Sequence, residues 1–182
     1  MKKLAIFFPG IGYNKDKPLL YYSAKLAKAL GYEIIHIEYH DLPADGKSDA
    51  ALMEKAAKIA YTQTEEQLKN VDFSEYEKVL FIGKSIGTII LAAYVCYHKV
   101  NAGQIWYTPV VPTFQFESKN VLAFIGDADL WADISDIKEK AKAQEITLSV
   151  YEGCNHSLET GAVDRDISTL SDVMRRTEEF MN

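Results

Sequence analysis

Short, wholly apolar runs alternate along this chain with longer segments whose apolar residues recur every three or four positions. The runs at 3–8 (KLAIFF), 32–39 (YEIIHIEY), 78–83 (KVLFIG), 103–108 (GQIWYT), 120–126 (NVLAFIG) and 146–151 (ITLSVY) are short and rich in β-branched and aromatic residues, which predicts six strands. Between them, 18–30 places Leu19, Tyr22, Leu26 and Leu30 on one helical face. Pro18 is suited to its first turn and Gly31 to its end. A longer, more polar helix is predicted from Ser48 to about Leu68, and a short one over 134–143. Residues 86–98 are apolar nearly all round, the pattern of a buried helix. Residues 164–181 carry Ile167, Leu170, Met174 and Phe180 as a single stripe. Strands buried on both faces and separated by helices predict a parallel sheet covered on each side, an α/β class.

Composition narrows the picture slightly. With 182 residues, 48% hydrophobic and 25% charged, the chain suits one domain, 1–182, around one core. The net charge of −6, without a basic run, argues against a nucleic-acid partner. No stretch is long enough to span a bilayer, which argues against a membrane partner. The apolar start Leu4 to Phe8 is cut by Pro9-Gly10, too short for a signal peptide, so a cytoplasmic location is expected. Two cysteines, Cys96 and Cys154, do not make a disulfide framework. Oligomeric state is not legible.

The chemistry centres on VLFIGKSIGTII, residues 79–90. Gly83-Lys84-Ser85 resembles the tail of a phosphate-binding loop, but the first glycine of that pattern would fall on Lys78. The intervening strand formers could not wrap a phosphate in backbone N–H groups. Gly83-Lys84-Ser85-Ile86-Gly87 also matches G-x-S-x-G, a sharp strand-to-helix turn holding an activated serine. Here a buried strand precedes and a buried helix follows, as that turn requires. The helix N-terminus adds positive potential beneath the serine oxygen, and the Ile86 N–H points where an oxyanion would form. A tight glycine turn with an inert serine is the plainer alternative.

An activated serine needs a base and a carboxylate to orient it, which on such a sheet follow in the order Ser, acid, His. After Ser85 come GDADLW (126–131) and GCNHSLE (153–159), each just past a predicted strand. Strand C-termini share one edge of a parallel sheet, so these segments should converge. Of His36, His40, His98 and His156, only His156 lies in a loop after the last strand. Asp129 is favoured as the acid for its longer reach, with Asp127 the alternative. A second oxyanion donor is expected from FPGIGYN (8–14), where Gly10 and Gly12 permit close backbone approach and Ile11 supplies the N–H. The same loop could be read as a nucleotide-binding turn, although the third glycine of G-x-G-x-x-G is missing and only Glu38 could stand for the ribose-binding acid.

Through FFPGIGYN, FIGKSIGT, GDADLW and GCNHSLE the chain resembles the α/β-hydrolase superfamily, in particular its small capless bacterial serine hydrolases. The resemblance implies a three-layer fold with strand order 2-1-3-4-5-6. It implies Ile11 and Ile86 as oxyanion donors and Ser85, Asp129 and His156 as nucleophile, acid and base. The common His-Gly of the oxyanion loop is Pro9-Gly10 here, and the usual His before the nucleophile is Lys84. The first predicted strand is the one before the oxyanion loop, so the family's two leading antiparallel strands are expected to be absent, and only PVVPTFQFES stands where a cap is usually inserted. An open, shallow site is therefore expected, with Tyr13, Tyr107, Phe114 and Trp131 as candidate lining. The resulting expectation is a serine hydrolase acting on a small-molecule acyl substrate, an ester or thioester, with no metal or cofactor. The rivals are a non-catalytic binding protein on the same scaffold and a nucleotide- or flavin-binding domain.

Overall fold

A computed structural model describes residues 2–43 and 50–182. Six parallel strands form one open sheet: β1 (Lys2–Phe8), β2 (Tyr32–His36), β3 (Tyr76–Lys84), β4 (Gly103–Tyr107), β5 (Val121–Gly126) and β6 (Thr147–Tyr151), in the order β2-β1-β3-β4-β5-β6. The connecting helices are α1 (Pro18–Ala29), α2 (Ala50–Leu68), α3 (Ile86–His98) and α4 (Ile134–Ala143), and α5 (Val163–Met181) follows the last strand. Among the described residues, no helix is long and apolar enough to cross a membrane.

The period-two geometry of a strand divides each apolar run between two cores. Leu4, Ile6 and Phe8 of β1 pack with Ala60 of α2, Ile90 of α3 and Ile137 of α4. Ala5 and Phe7 face the other way, onto Leu20 of α1 and Val173 of α5. The edge strands β2 and β6 are only partly buried, whereas β4 and β5 are buried along their whole length.

The observed bounds differ from the sequence pattern in instructive ways. The extended run predicted to reach Tyr39 leaves the sheet after His36. Its partner β1 ends at Phe8, and Ile37 makes the final ladder bond, from its N–H to Phe7 O at 2.9 Å. The segment stays extended because Gln67 and Gln63 of α2 pair their amides with the backbone of Glu38 and His40, respectively, at 2.9–3.0 Å. The predicted start of the long helix, Ser48, lies outside the described residues. A 3₁₀ turn, Val111–Gln115, fills the β4–β5 connection where a cap would be inserted.

Candidate active site

The carboxyl ends of β3, β5 and β6 lie along one edge, and three loops meet there. Ser85 stands between β3 and α3 with φ 56° and ψ −122°, a region that side-chain-bearing residues rarely occupy and that costs about 1–3 kcal/mol. Three features hold it there. Its N–H donates to Tyr107 O at 3.0 Å, and its carbonyl accepts from Thr88 N at 2.9 Å and Thr88 Oγ1 at 2.7 Å. The glycines two residues to either side admit no side chain. A methyl on Gly83 would strike Leu91 and the Gly87 backbone, and one on Gly87 would strike the backbone oxygens of Phe8 and Pro9. The end of β1, the turn and the start of α3 are thus packed backbone to backbone.

His156 Nε2 lies 2.8 Å from Ser85 Oγ, and its Nδ1 lies 2.6 Å from Asp129 Oδ2. A carboxylate oxygen can only accept, so the Nδ1–H donates to Asp129, and Nε2 is left to accept from the serine hydroxyl. The Asp129 side chain is fully buried, and its other oxygen accepts from Trp131 N at 2.9 Å. The Trp131 ring stacks on the imidazole, with centroids 5.1 Å apart and an interplanar angle of 11°.

The loop carrying His156 is built by short-range bonds. Asn155 Oδ1 accepts from Ser157 N at 2.7 Å and Glu159 N at 3.2 Å. Asp127 takes a different part from Asp129: its Oδ1 accepts from Gly153 N at 2.6 Å, tying the β5 turn to the histidine loop. Ala128 N donates to Cys154 O at 3.0 Å, and a methyl on Gly126 would collide with that same carbonyl. Burial pushes the Cys154 thiol up, away from thiolate chemistry. Asp133 caps α4, accepting from Ser135 N and Asp136 N.

The FPGIGYN loop closes as a tight turn, with paired bonds between Gly10 and Tyr13 at 3.0 and 3.2 Å. Ile11 and Gly12 are its central residues, so their N–H groups lie outside that pair. Gly12 has φ +72°, which suits glycine. Gly10 is pressed against the end of β3: an added methyl would lie 3.2 Å from Lys84 O and 3.3 Å from Ser85 Cβ. Its smallness therefore serves the packing of the loop on the serine turn. Ile86 opens α3, where backbone N–H groups have no intrahelical acceptor.

A depression of about 300 Å³ lies over Ser85 and His156. Of the residues expected there, Gly12, Tyr13 and Trp131 line it and Gly10 does not, being packed against the serine turn; Ile11, expected as an oxyanion donor, also lines it, as do Met53, Lys84 and Leu130. Two further expected lining residues, Tyr107 and Phe114, belong to the cores. Tyr107 is fully buried on the α1/α5 side of the sheet, where its hydroxyl bonds Ser23 Oγ at 2.8 Å and Thr177 Oγ1 at 2.6 Å. Phe114 packs edge-on against Trp106, centroids 5.4 Å apart, in the opposite core. Strand alternation explains Tyr107: it follows Trp106, which faces the α2/α3 core, so its own ring enters the α1/α5 core and stacks on Phe124. Phe114 is drawn inward because its 3₁₀ turn folds back over α3 through the Thr88–Thr113 hydroxyl pair at 2.7 Å.

Sequence reasoning missed Met53 and Leu130, and gave Lys84 no place in the lining. Lys84 is 1% exposed, with its ammonium 5.1 Å from the centre of the Tyr13 ring. Its position directly before the serine was the available signal. Leu130 is 97% exposed beside the site, and an apolar residue inside DADLWAD could have flagged it. Nothing local in the sequence marks Met53.

No sequence-family model matches the chain, and no curated protein sequence matches it. Solved structures do match its shape. An α/β serine hydrolase homologue from Coxiella burnetii superposes with a TM-score of 0.67 at 18% identity, covering 96% of this chain and 84% of that one. A serine hydrolase without a lid from Xanthomonas campestris gives 0.59 at 15% identity, covering 96% and 81%. An esterase from Pyrococcus furiosus gives 0.68 at 12% identity, covering 100% and 84%. With its strand order, its serine turn at the end of β3 and only a 3₁₀ turn in the β4–β5 connection, the chain has the α/β-hydrolase fold in a small, capless form.

Proposed function

We propose that this protein is a serine hydrolase that cleaves an ester or thioester through an acyl-enzyme. The observation that carries the reading is the continuous hydrogen-bond chain from Ser85 Oγ through His156 to Asp129, at 2.8 and 2.6 Å. In this reading Ser85 Oγ attacks the substrate carbonyl while His156 Nε2 takes its proton. The carbonyl oxygen becomes an oxyanion held by the N–H groups of Ile11 and Ile86, with the N-terminal end of α3 adding positive potential. The intermediate collapses, and Nε2 returns the proton to the departing alcohol or thiol. A water molecule then gives a proton to Nε2 as it attacks the acyl carbon, and Nε2 passes that proton to Ser85 Oγ as the bond to the acyl group breaks, which releases the acid and restores the Ser85 hydroxyl. Asp129 holds the imidazole in the tautomer that can accept.

The strained backbone at Ser85 supports the same reading, because the turn maintains an unfavourable conformation that lifts the hydroxyl above the sheet edge. That a structural neighbour is named an esterase agrees with it. A nucleotide-binding turn is disfavoured because α1 begins only at Pro18, so its N-terminus does not open directly from the Gly10–Tyr13 turn.

The test is labelling with a fluorophosphonate, followed by identification of the modified residue. Ser85 is expected to carry the label and Ser85→Ala to lose it, along with hydrolysis of short-chain aryl esters. Equal labelling of wild type and Ser85→Ala would return the protein to the non-catalytic alternative.

A further inference from the structure

Beside the depression over Ser85 lies a second, larger cavity of about 760 Å³, a groove between α2, α3 and the Val111–Gln115 turn. Met53 lines both spaces. Beneath it they share one apolar floor: Ala56, Ile86, Ile89 and Val110 form a buried cluster on which Ile11, Met53 and Phe116 pack. Ile11, which lines the depression, and Met53 and Phe116, which line the groove, therefore pack on the same buried cluster, to which Ile86 belongs. At the far end the Tyr97 ring is 65% exposed, yet it meets the Tyr61 and Phe116 rings edge-on, with centroids 5.9 and 5.7 Å away. The charged groups along the groove, Glu54 and Lys58, pair with each other at 2.6 Å, so the groove offers no net charge to a ligand headgroup.

We infer that this groove holds the acyl chain of the substrate and that the protein acts on esters or thioesters of aliphatic acids longer than acetate. The inference rests on the serine-hydrolase reading. The direction of the chain follows from proton transfer: the leaving group must depart beside His156 Nε2, which returns its proton. Neither His156 nor Trp131 lines the groove, which meets the depression instead at Met53, on the side where Ile11 packs. That route belongs to the acyl side of the scissile bond. An apolar groove joined by an apolar floor to the attacking oxygen suits a chain whose methylenes leave water as it binds.

The test measures kcat/KM for p-nitrophenyl esters from acetyl to decanoyl, all below their micelle concentrations. Each methylene that enters the groove should raise kcat/KM by about fourfold over the first several carbons. Ala57→Phe on α2 and Ala93→Phe on α3 each place a ring in the groove from a different helix. Each should lower the octanoyl-to-acetyl ratio by about tenfold or more. Because the readout is a ratio within one preparation, partial loss of folded protein does not imitate it, and failure of one variant to fold leaves the other. A flat or falling profile in wild type overturns the inference, as does an unchanged ratio in both variants. A gain that follows the alcohol's length and not the acid's overturns it as well. Absence of turnover at every chain length, together with no fluorophosphonate label on Ser85, overturns the hydrolase reading itself.

Discussion

Replacing Asp129 by Asn changes one atom and tests the reasoning at the imidazole. In wild type, Asp129 Oδ2 accepts from His156 Nδ1 and Oδ1 accepts from Trp131 N, at 2.6 and 2.9 Å, and the side chain is fully buried. Both partners are donors, so the site needs two acceptors, and an asparagine supplies one. If its oxygen stays on Trp131 N, its NH₂ faces Nδ1. The imidazole must then accept there and carry its proton on Nε2, where it cannot take one from Ser85. If the amide flips, the NH₂ faces the Trp131 N–H, a buried clash of donors costing about 1–3 kcal/mol. The first arrangement therefore dominates, and the wrong tautomer lowers kcat by about 10⁴, equivalent to about 5.4 kcal/mol of barrier. Asp127→Asn is the internal control. Its single described acceptor contact, to Gly153 N at 2.6 Å, can be kept by the amide oxygen, so the loss should stay within about tenfold. The assay is kcat/KM on a short-chain aryl ester for both variants, with circular dichroism to confirm that each is folded. Asp129→Asn within tenfold of wild type, or Asp127→Asn as impaired as Asp129→Asn, would refute the assignment of the acid.

Other consequences can be checked separately. Ser85→Ala should lower turnover on the order of 10⁴–10⁶ while leaving the protein folded. Ser85→Gly should be equally inactive but more stable than Ser85→Ala by about 1 kcal/mol in denaturant unfolding, because only glycine accepts φ 56° and ψ −122° without strain. No such difference would mean that the turn is not strained. Tyr107→Phe removes the hydroxyl that bonds Ser23 and Thr177 and should cost about 1–3 kcal/mol of stability without changing kcat. A specific kinetic effect would bring Tyr107 back to the site. Asp172 is drawn down from 3.8 to about 2, chiefly by the Tyr151 hydroxyl, then by Arg175 and Arg176. Because its folded-state value is depressed, its stabilisation is present above about pH 4 and is lost as pH falls towards 2. The gap in melting temperature between wild type and Asp172→Asn should close over that interval, and a gap that persists at pH 2 contradicts it.

The sequence by itself determined the order of elements and the types of residue available for chemistry. Period-two and period-3.6 patterns are local consequences of backbone geometry, so the six strands and five helices are legible from side-chain polarity alone. The serine turn is legible as a motif: Gly83 must clear Leu91 and Gly87 a few residues on, while Gly87 is required by the backbone of Phe8 and Pro9 at the end of the neighbouring strand. Only the tertiary structure shows that Asp129 bonds His156 while Asp127 bonds Gly153 N, because the two differ by where their loop meets the histidine loop, 27 residues further along the chain for Asp129. It also moved Tyr107 and Phe114 into the cores and brought Met53, from a helix with no distinguishing motif, to the mouth of the site. Which face of a strand a residue occupies, and which helix shades the strand ends, depend on register and crossover geometry. Those are properties of the assembled sheet that no short window of sequence contains.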